Sequence, residues 1–261
     1  MTDASLTTSS RRLMSPVTAL RIGIVVAVLA IWEIVAASGL LFRDVVPSLP
    51  AIGKALGLLL IDPAYYANLG VTVGELLGAL AVGGGLGLAA GMVLGANDYL
   101  GRAFEEFLYY LGPTPKIIFF PVMLLWFGVD SGSKVAMGAL SCFFPIAVSA
   151  LAGMRQVDGV LIRVGRSFRA STWAMVTKIY LPAMRHPIVN GLRLGLGVAI
   201  IGTLLAETKM SNQGLGFLII QTYTTFNMPR MYALLITLFL LAIGLNALIA
   251  WFSGGGAARK S

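Results

Sequence analysis

Six apolar runs, each about as long as a helix that crosses a bilayer, constrain this chain more than any other feature. A hydrocarbon core takes about 20 residues of helix. The runs lie near Ile22–Leu41, Gly70–Gly95, Phe104–Phe127, Lys134–Met154, Ile188–Ala206 and Tyr232–Phe252. Only 11% of the residues are charged and 57% are hydrophobic. Soluble domains carry roughly 25% charged residues. The predicted fold is therefore all-α, a polytopic membrane protein of about six transmembrane helices. Residues 1–20 read as a cytoplasmic tail, 21–252 as the membrane domain and 253–261 as a second cytoplasmic tail. The first apolar run lacks a small-residue cleavage site, so a signal peptide is not expected.

An even number of spans places both termini on one side. With that side inside, 13 of the 19 Lys and Arg residues fall on inner ends and loops. This bias predicts cytoplasmic termini. It also accounts for the net charge of +8 without a nucleic-acid partner. The single cysteine, Cys142, sits in an apolar run and reads as a buried helix residue. The single histidine, His186, has no second histidine to complete a metal site and reads as an interface residue.

The second run carries glycines at 70, 74 and 78, then at 83, 87, 91 and 95. A spacing of four places each set on one helix face, where backbones approach closely. Packing within the chain is the expected use. The third run is broken by Pro113, Pro115 and Pro121, with Lys116 among them. Broken helices at membrane depth line cavities or pack against protein. Two readings of Lys116 stand: a pathway residue, or one that snorkels or pairs with Glu105 or Glu106. Glu75, Glu207, Pro113, Pro115 and Lys116 are the candidate pathway residues.

Phosphate-cradling, nucleophile-elbow and metalloprotease motifs are absent from the sequence, and one cysteine allows no CxxC pair. No cofactor or metal site is expected on this chain. The longest loop on the inner side, 155–186, is patterned instead. Val157, Leu161, Val164 and Phe168 form the stripe of an amphipathic helix, with Arg163, Arg166 and Arg169 off it. Ser171 or Thr172 is placed to cap a second short helix over Trp173–Tyr180, which Pro182 would end. Two readings fit: an anchor on anionic lipid headgroups, or a docking element for a cytoplasmic protein.

This loop resembles the cytoplasmic signature of ABC-importer permeases, the inner-membrane components of binding-protein-dependent transport. That signature runs E-A-A, three residues, G, nine residues, I-x-L-P. Ile179, Leu181 and Pro182 match its end, and Ala170 and Ser171 match the usual residues after the glycine. Arg163, Val164 and Gly165 stand at E-A-A, and Arg169 stands at the glycine. LLWFGVDSGSKV, VPSLPAIGKAL, NGLRLGLGVAIIGTLLAE and QGLGFLI are similar to segments of the nitrate/taurine/sulfonate branch.

The resemblance implies a type I permease fold, with coupling helices between spans four and five. Arg163 to Arg166, Phe168 to Ser171, Leu181 and Pro182 would meet a cytoplasmic ATPase subunit. ATP and Mg would bind to that subunit, not to this chain. The other implied partners are a second permease copy, a periplasmic or surface substrate-binding protein, and the lipid of a bacterial inner membrane. The implied cargo is a small anion such as nitrate, taurine or a sulfonate. A vitamin precursor or flavin is the alternative. A stand-alone carrier or channel predicts several charges within the spans and no patterned loop. A membrane enzyme predicts clustered acids or histidines.

Overall fold

The computed structural model describes residues 16–39 and 45–252. The tail segments 1–15 and 253–261 lie outside the described residues, and so do positions 40–44 within the chain. Among the described residues every regular element is helical. Residues 16–20, expected in the first tail, already belong to α1 (Pro16–Ser38). Proline suits the first turn of a helix, where its missing N–H is no loss. None of the apolar stretch of α1 is buried within the chain. Two hydrogen bonds help to tie down its far end. Trp32 Nε1 donates to the Pro47 carbonyl at 3.0 Å, and Glu33 Oε2 accepts from the Leu49 amide at 2.9 Å. Glu33, an acid inside an apolar run, thus serves the start of α2 (Leu49–Leu60).

The second span starts earlier than Gly70. It runs from Pro63 to Ala96, a helix of 34 residues. Asp62 caps it by accepting from the Ala64 amide at 2.9 Å, and Pro63 opens the first turn. The span consists of α3 (Pro63–Ala79), a π turn at Leu80–Gly84 and α4 (Gly85–Ala96). The π turn coincides with the one step of five in the glycine series, from Gly78 to Gly83. A π turn takes one extra residue per turn, so the step of five is absorbed there.

The third run is not a single span. α5 (Asp98–Leu111), capped by the Asn97 side chain, and the stretch Lys116–Phe127, which ends in α6 (Phe120–Phe127), meet at 93°. Pro113 and Pro115 lack N–H groups and disfavour helical geometry at the residues before them. The backbone there leaves the helix and resumes as a single 3₁₀ turn.

Next come α7 (Ser131–Arg155), α8 (Gly159–Ser167), α9 (Thr172–Met175), α10 (Leu181–Ala183) and α11 (Arg185–Lys209). The last two are α12 (Leu215–Thr224) and α13 (Met228–Phe252). Among the described residues five helices are long and apolar enough to cross a membrane, or six with the bent pair counted as one.

α7 lies at the centre. A side chain at Gly83 or Gly91 would strike the α7 backbone at Ala139 or Ala147, and a Cβ at Gly87 would lie 2.6 Å from the Phe143 carbonyl. The second glycine set is therefore the seam between α4 and α7. Gly70 and Gly74 of the first set face open space. On its other side α7 meets α11, again through glycines. A Cβ at Gly191 would come 2.7 Å from Ser149, and one at Gly195 would come 2.7 Å from Ile146. These pairings run α4 parallel and α11 antiparallel to α7. The start of α3, the start of α7 and the end of α11 therefore share one end of the bundle, and the 155–186 loop occupies the other.

Candidate functional site

At the end opposite the loop, residues distant in sequence converge. Thr72 of α3 donates through Oγ1 to Glu207 Oε1 at 2.7 Å, although the two are 135 positions apart. The same hydroxyl accepts from the Leu215 amide at 2.8 Å. The Gly216 amide donates to Glu207 Oε2 at 2.5 Å, and the Gly214 amide donates to Asn68 Oδ1 at 2.7 Å. The amides of Gly214, Leu215 and Gly216, where α12 begins, are thus held by side chains of α3 and α11. Glu207 is 0% exposed, so these bonds replace the water its carboxyl has lost. Gly214 (φ 104) and Gly216 form the cradle: a Cβ on either would lie 2.5–2.6 Å from a Glu207 side-chain carbon.

Glu75, one turn after Thr72, lies beside the Glu207 carboxyl and the Ser131 hydroxyl. It is 3% exposed, and its Oε2 has no hydrogen-bond partner among the described residues. Lys134 is 0% exposed and donates to the carbonyls of Val129 and Asp130. It closes the junction between α6 and α7. Beyond Glu75 opens a cavity of about 280 Å³, lined by Asp130, Ser131, Ser211, Asn212 and Gln213.

The five pathway candidates do not form one site. Glu75 and Glu207 are together. Pro113, Pro115 and Lys116 are at the break between α5 and α6. Lys116 lies 5.0 Å from the centre of the Phe144 ring. Phe144 is about 20 Å along α7 from Ser131 at 1.5 Å per residue. The Lys116 ammonium donates to the carbonyls of Gly112 and Thr114 that the prolines free. The acid partner considered for it, Glu105, instead accepts from Arg155 at 2.7 Å. The structure therefore replaces the acid pairing with a backbone cap plus a cation–π contact.

At the other end, the 155–186 loop is built as two short helices. Asp158 caps α8 by accepting from the Val160 amide at 2.7 Å, and Ser171 caps α9 by accepting from Ala174 at 3.2 Å. α8 ends with the Ala170 amide bonded to the Gly165 carbonyl and the Arg169 amide bonded to the Arg166 carbonyl. That is the Schellman arrangement, which places its fifth residue in the left-handed region. Arg169 is that residue, with φ 51. Glycine is at home in this conformation, and other L-residues meet a cost of roughly 1–2 kcal/mol. The glycine of the resembling signature thus has a backbone reason, and this chain sets an arginine against it.

Gly165 has a packing reason. A Cβ there would lie 2.5 Å from both Ile179 Cδ1 and Met175 Sδ. The glycine lets α8 lie close on the second helix with those two side chains seated against its backbone. That helix does not stop at Pro182 as expected. A π turn at Val176–Tyr180 leads into α10, and the chain stays helical to Ala183. Pro182 has no N–H for the carbonyl one turn back, and the wider turn before it takes up the mismatch.

Beyond Val157, which packs half-buried on the core, the apolar stripe faces outward. Leu161 and Val164 are exposed, Phe168 is 82% exposed and Trp173 is 76% exposed. Arg163, Arg166 and Arg169 are exposed around them. No element of the described chain covers this surface.

A bundle of apolar spans with an uncovered helical loop at one end is the build of a membrane transport subunit. Residues 83–255 match the family model for the binding-protein-dependent transport system inner membrane component. The chain belongs to that family, the permease subunits of ABC importers, which are not themselves enzymes. It is 30% identical to the putative aliphatic sulfonates transport permease protein SsuC of Bacillus subtilis (strain 168). That match covers 74% of this chain and 70% of the relative. It is 29% identical to the taurine transport system permease protein TauC of Escherichia coli (strain K12), over 88% of this chain and 86% of the relative. It is 24% identical to the nitrate import permease protein NrtB of Synechococcus elongatus, over 69% and 64%. The sulfonate, taurine and nitrate branch expected from the motifs is the branch found.

Three of those motifs meet at the buried cluster: the S-K pair at Ser133 and Lys134, the A-E pair at Ala206 and Glu207, and the G-L-G run at Gly214 to Gly216. Thr72 and Asn68 were not singled out in the sequence. Their signal was available only as polar residues in an apolar span, four positions apart, and so on one helix face.

Proposed function

We propose that this permease works as a pair of identical copies in a bacterial inner membrane, with both termini in the cytoplasm. A separate subunit binding ATP and Mg docks on Arg163, Arg166, Phe168 and Arg169 and on the ends of α8 and α9. Val164, Gly165, Ala170, Ser171, Leu181 and Pro182 hold the shape of that surface. The observation that carries this reading is the uncovered apolar patch of Leu161, Val164, Phe168 and Trp173, ringed by exposed arginines. Large apolar patches rimmed by charge mark protein interfaces. Arg155, which leads into the loop, is paired to Glu105 of α5, so a push on the loop reaches the bent span. Only differential affinity of the ATPase for two arrangements of the spans can drive the cycle. Membrane lipid covers the remaining apolar faces, and a binding protein delivers cargo at the opposite end.

The cargo is a small polar solute with an acidic group, as the names of the sulfonate, taurine and nitrate relatives suggest. The test is co-purification. Expressed with its ATPase subunit, the tagged chain should retain that subunit in near-stoichiometric amount through affinity and size-exclusion steps. Recovery of the chain alone, intact and monodisperse, counts against the reading.

A further inference from the structure

The break in the third run holds a positive charge at mid-depth with no negative charge to meet it. Phe144 stands midway along α7, and the Lys116 ammonium lies 5.0 Å from the centre of its ring. A hydrocarbon core is about 30 Å thick, so either interface is about 15 Å away, beyond the reach of a snorkelling lysine. The ammonium is instead held at that depth by the carbonyls of Gly112 and Thr114. Carbonyls and a ring face carry no net charge, so they steady the cation without neutralising it. Among the described residues no carboxylate is within ion-pair distance of Lys116: Glu105 is paired to Arg155, and Asp62 to Arg230. An ammonium has three donors, and the two carbonyls leave one unused. The Lys116 side chain is half-buried, and the chain leaves the break open: Pro113 and Pro115 are exposed beside it, and so is Ile118. A charged residue at this depth faces a bundle interior or a water-filled cavity, not lipid. Interrupted helices near the midplane build the solute sites of many transporters.

We infer that Lys116 is a mid-depth subsite for the acidic group of the cargo, whose oxyanion oxygen accepts the third Nζ proton at the break between α5 and α6. The inference deepens the proposed function and rests on it for the route by which the anion arrives. The counter-charge missing from the chain is then supplied by the solute in transit. A charge-assisted bond of this kind is roughly twice as strong as a neutral one. The two carbonyls fix the ammonium beforehand, so little side-chain freedom is lost when the anion binds. Lipid phosphates lie at the headgroup level, so the anion that reaches Lys116 is a solute.

The test uses the purified full chain in phosphatidylcholine nanodiscs, which carry no net anionic lipid, and ¹⁴C-methanesulfonate in a scintillation proximity assay. Saturable binding is expected. It should be displaced by ethanesulfonate and left in place by dimethyl sulfone, which bears a methyl group where methanesulfonate bears its anionic oxygen. Lys116→Gln keeps amide donors for the Gly112 and Thr114 carbonyls but has no charge, and it should weaken binding about tenfold. Thr114→Asp places a carboxylate beside the ammonium from within the chain. It should abolish binding, and it carries the test if Lys116→Gln does not fold. Absence of saturable binding, equal displacement by dimethyl sulfone, or unchanged binding in either folded variant overturns the inference. Binding is read without an ATPase, so its failure leaves the importer reading standing. Failure of ATPase association in turn leaves the measured subsite standing.

Discussion

Gly214→Val is expected to lower the thermal midpoint of the purified chain by about 10 °C and to leave little protein in the membrane. Gly214 has φ 104 and ψ 166, a region that glycine alone occupies readily. The new side chain also meets the Glu207 carboxyl, with its Cβ 2.5 Å from Cδ and 2.6 Å from both oxygens. Backbone strain contributes about 1–3 kcal/mol, and each buried polar group left unpaired contributes about 1–3 kcal/mol. Against a typical total stability of about 5–15 kcal/mol, that loss is large. Gly197→Ala, in the same helix as Glu207 but with nothing near its Cβ, is the control and should keep the wild-type midpoint. Fluorescence-detected size exclusion after heating gives both values. Equal midpoints for the two variants would mean that the glycine cradle does not secure this end of the bundle.

The second large effect belongs to Arg169. An arginine in the left-handed position of a Schellman turn costs the fold about 1 kcal/mol, and strain of this kind persists where something else repays it. On the proposed function, docking on an ATPase subunit is that repayment. Arg169→Gly should raise the thermal midpoint slightly and reduce ATP-driven uptake severalfold. Arg169→Glu keeps the strain and reverses the charge. It should reduce uptake about thirtyfold, the equivalent of about 2 kcal/mol at an interfacial charge pair, with membrane insertion unchanged. Wild-type uptake in Arg169→Glu would show that the arginine meets only lipid headgroups.

The elements legible in the sequence were those whose signal is periodic or local. Five of the six apolar runs correspond to span helices and the third to a bent pair, and glycines every four residues gave a packing face whose partner, α7, only the structure supplies. The Arg163–Pro182 spacing gave a loop whose helices begin at Asp158 and Ser171. The step of five between Gly78 and Gly83 was also on view, yet its meaning as a π turn needs the backbone. α2 and α12 escaped notice because each is too short to span and lies between stronger signals. The right-angle bend of the third run was not readable either: prolines announce a break, and packing sets its angle. The cluster was hardest. Glu75, Thr72 and Glu207 carry no mutual spacing, since contact between spans depends on helix register. Each was visible alone as a polar residue in an apolar span, which marks a candidate but names no partner. The same independence separated Lys116 from them, because the freed carbonyls beside it are a local consequence of Pro113 and Pro115.

On the proposed function, this permease moves cargo only when an ATP-hydrolysing partner acts through the 155–186 loop. Uptake into proteoliposomes tests it most directly. The chain is reconstituted with its ATPase subunit and binding protein, and ¹⁴C-2-aminoethanesulfonate is supplied outside with ATP inside. The expected result is uptake that requires ATP, the ATPase subunit and the binding protein together, and that falls about thirtyfold in Arg169→Glu. Uptake by the chain alone, at the same rate with or without ATP, would contradict it.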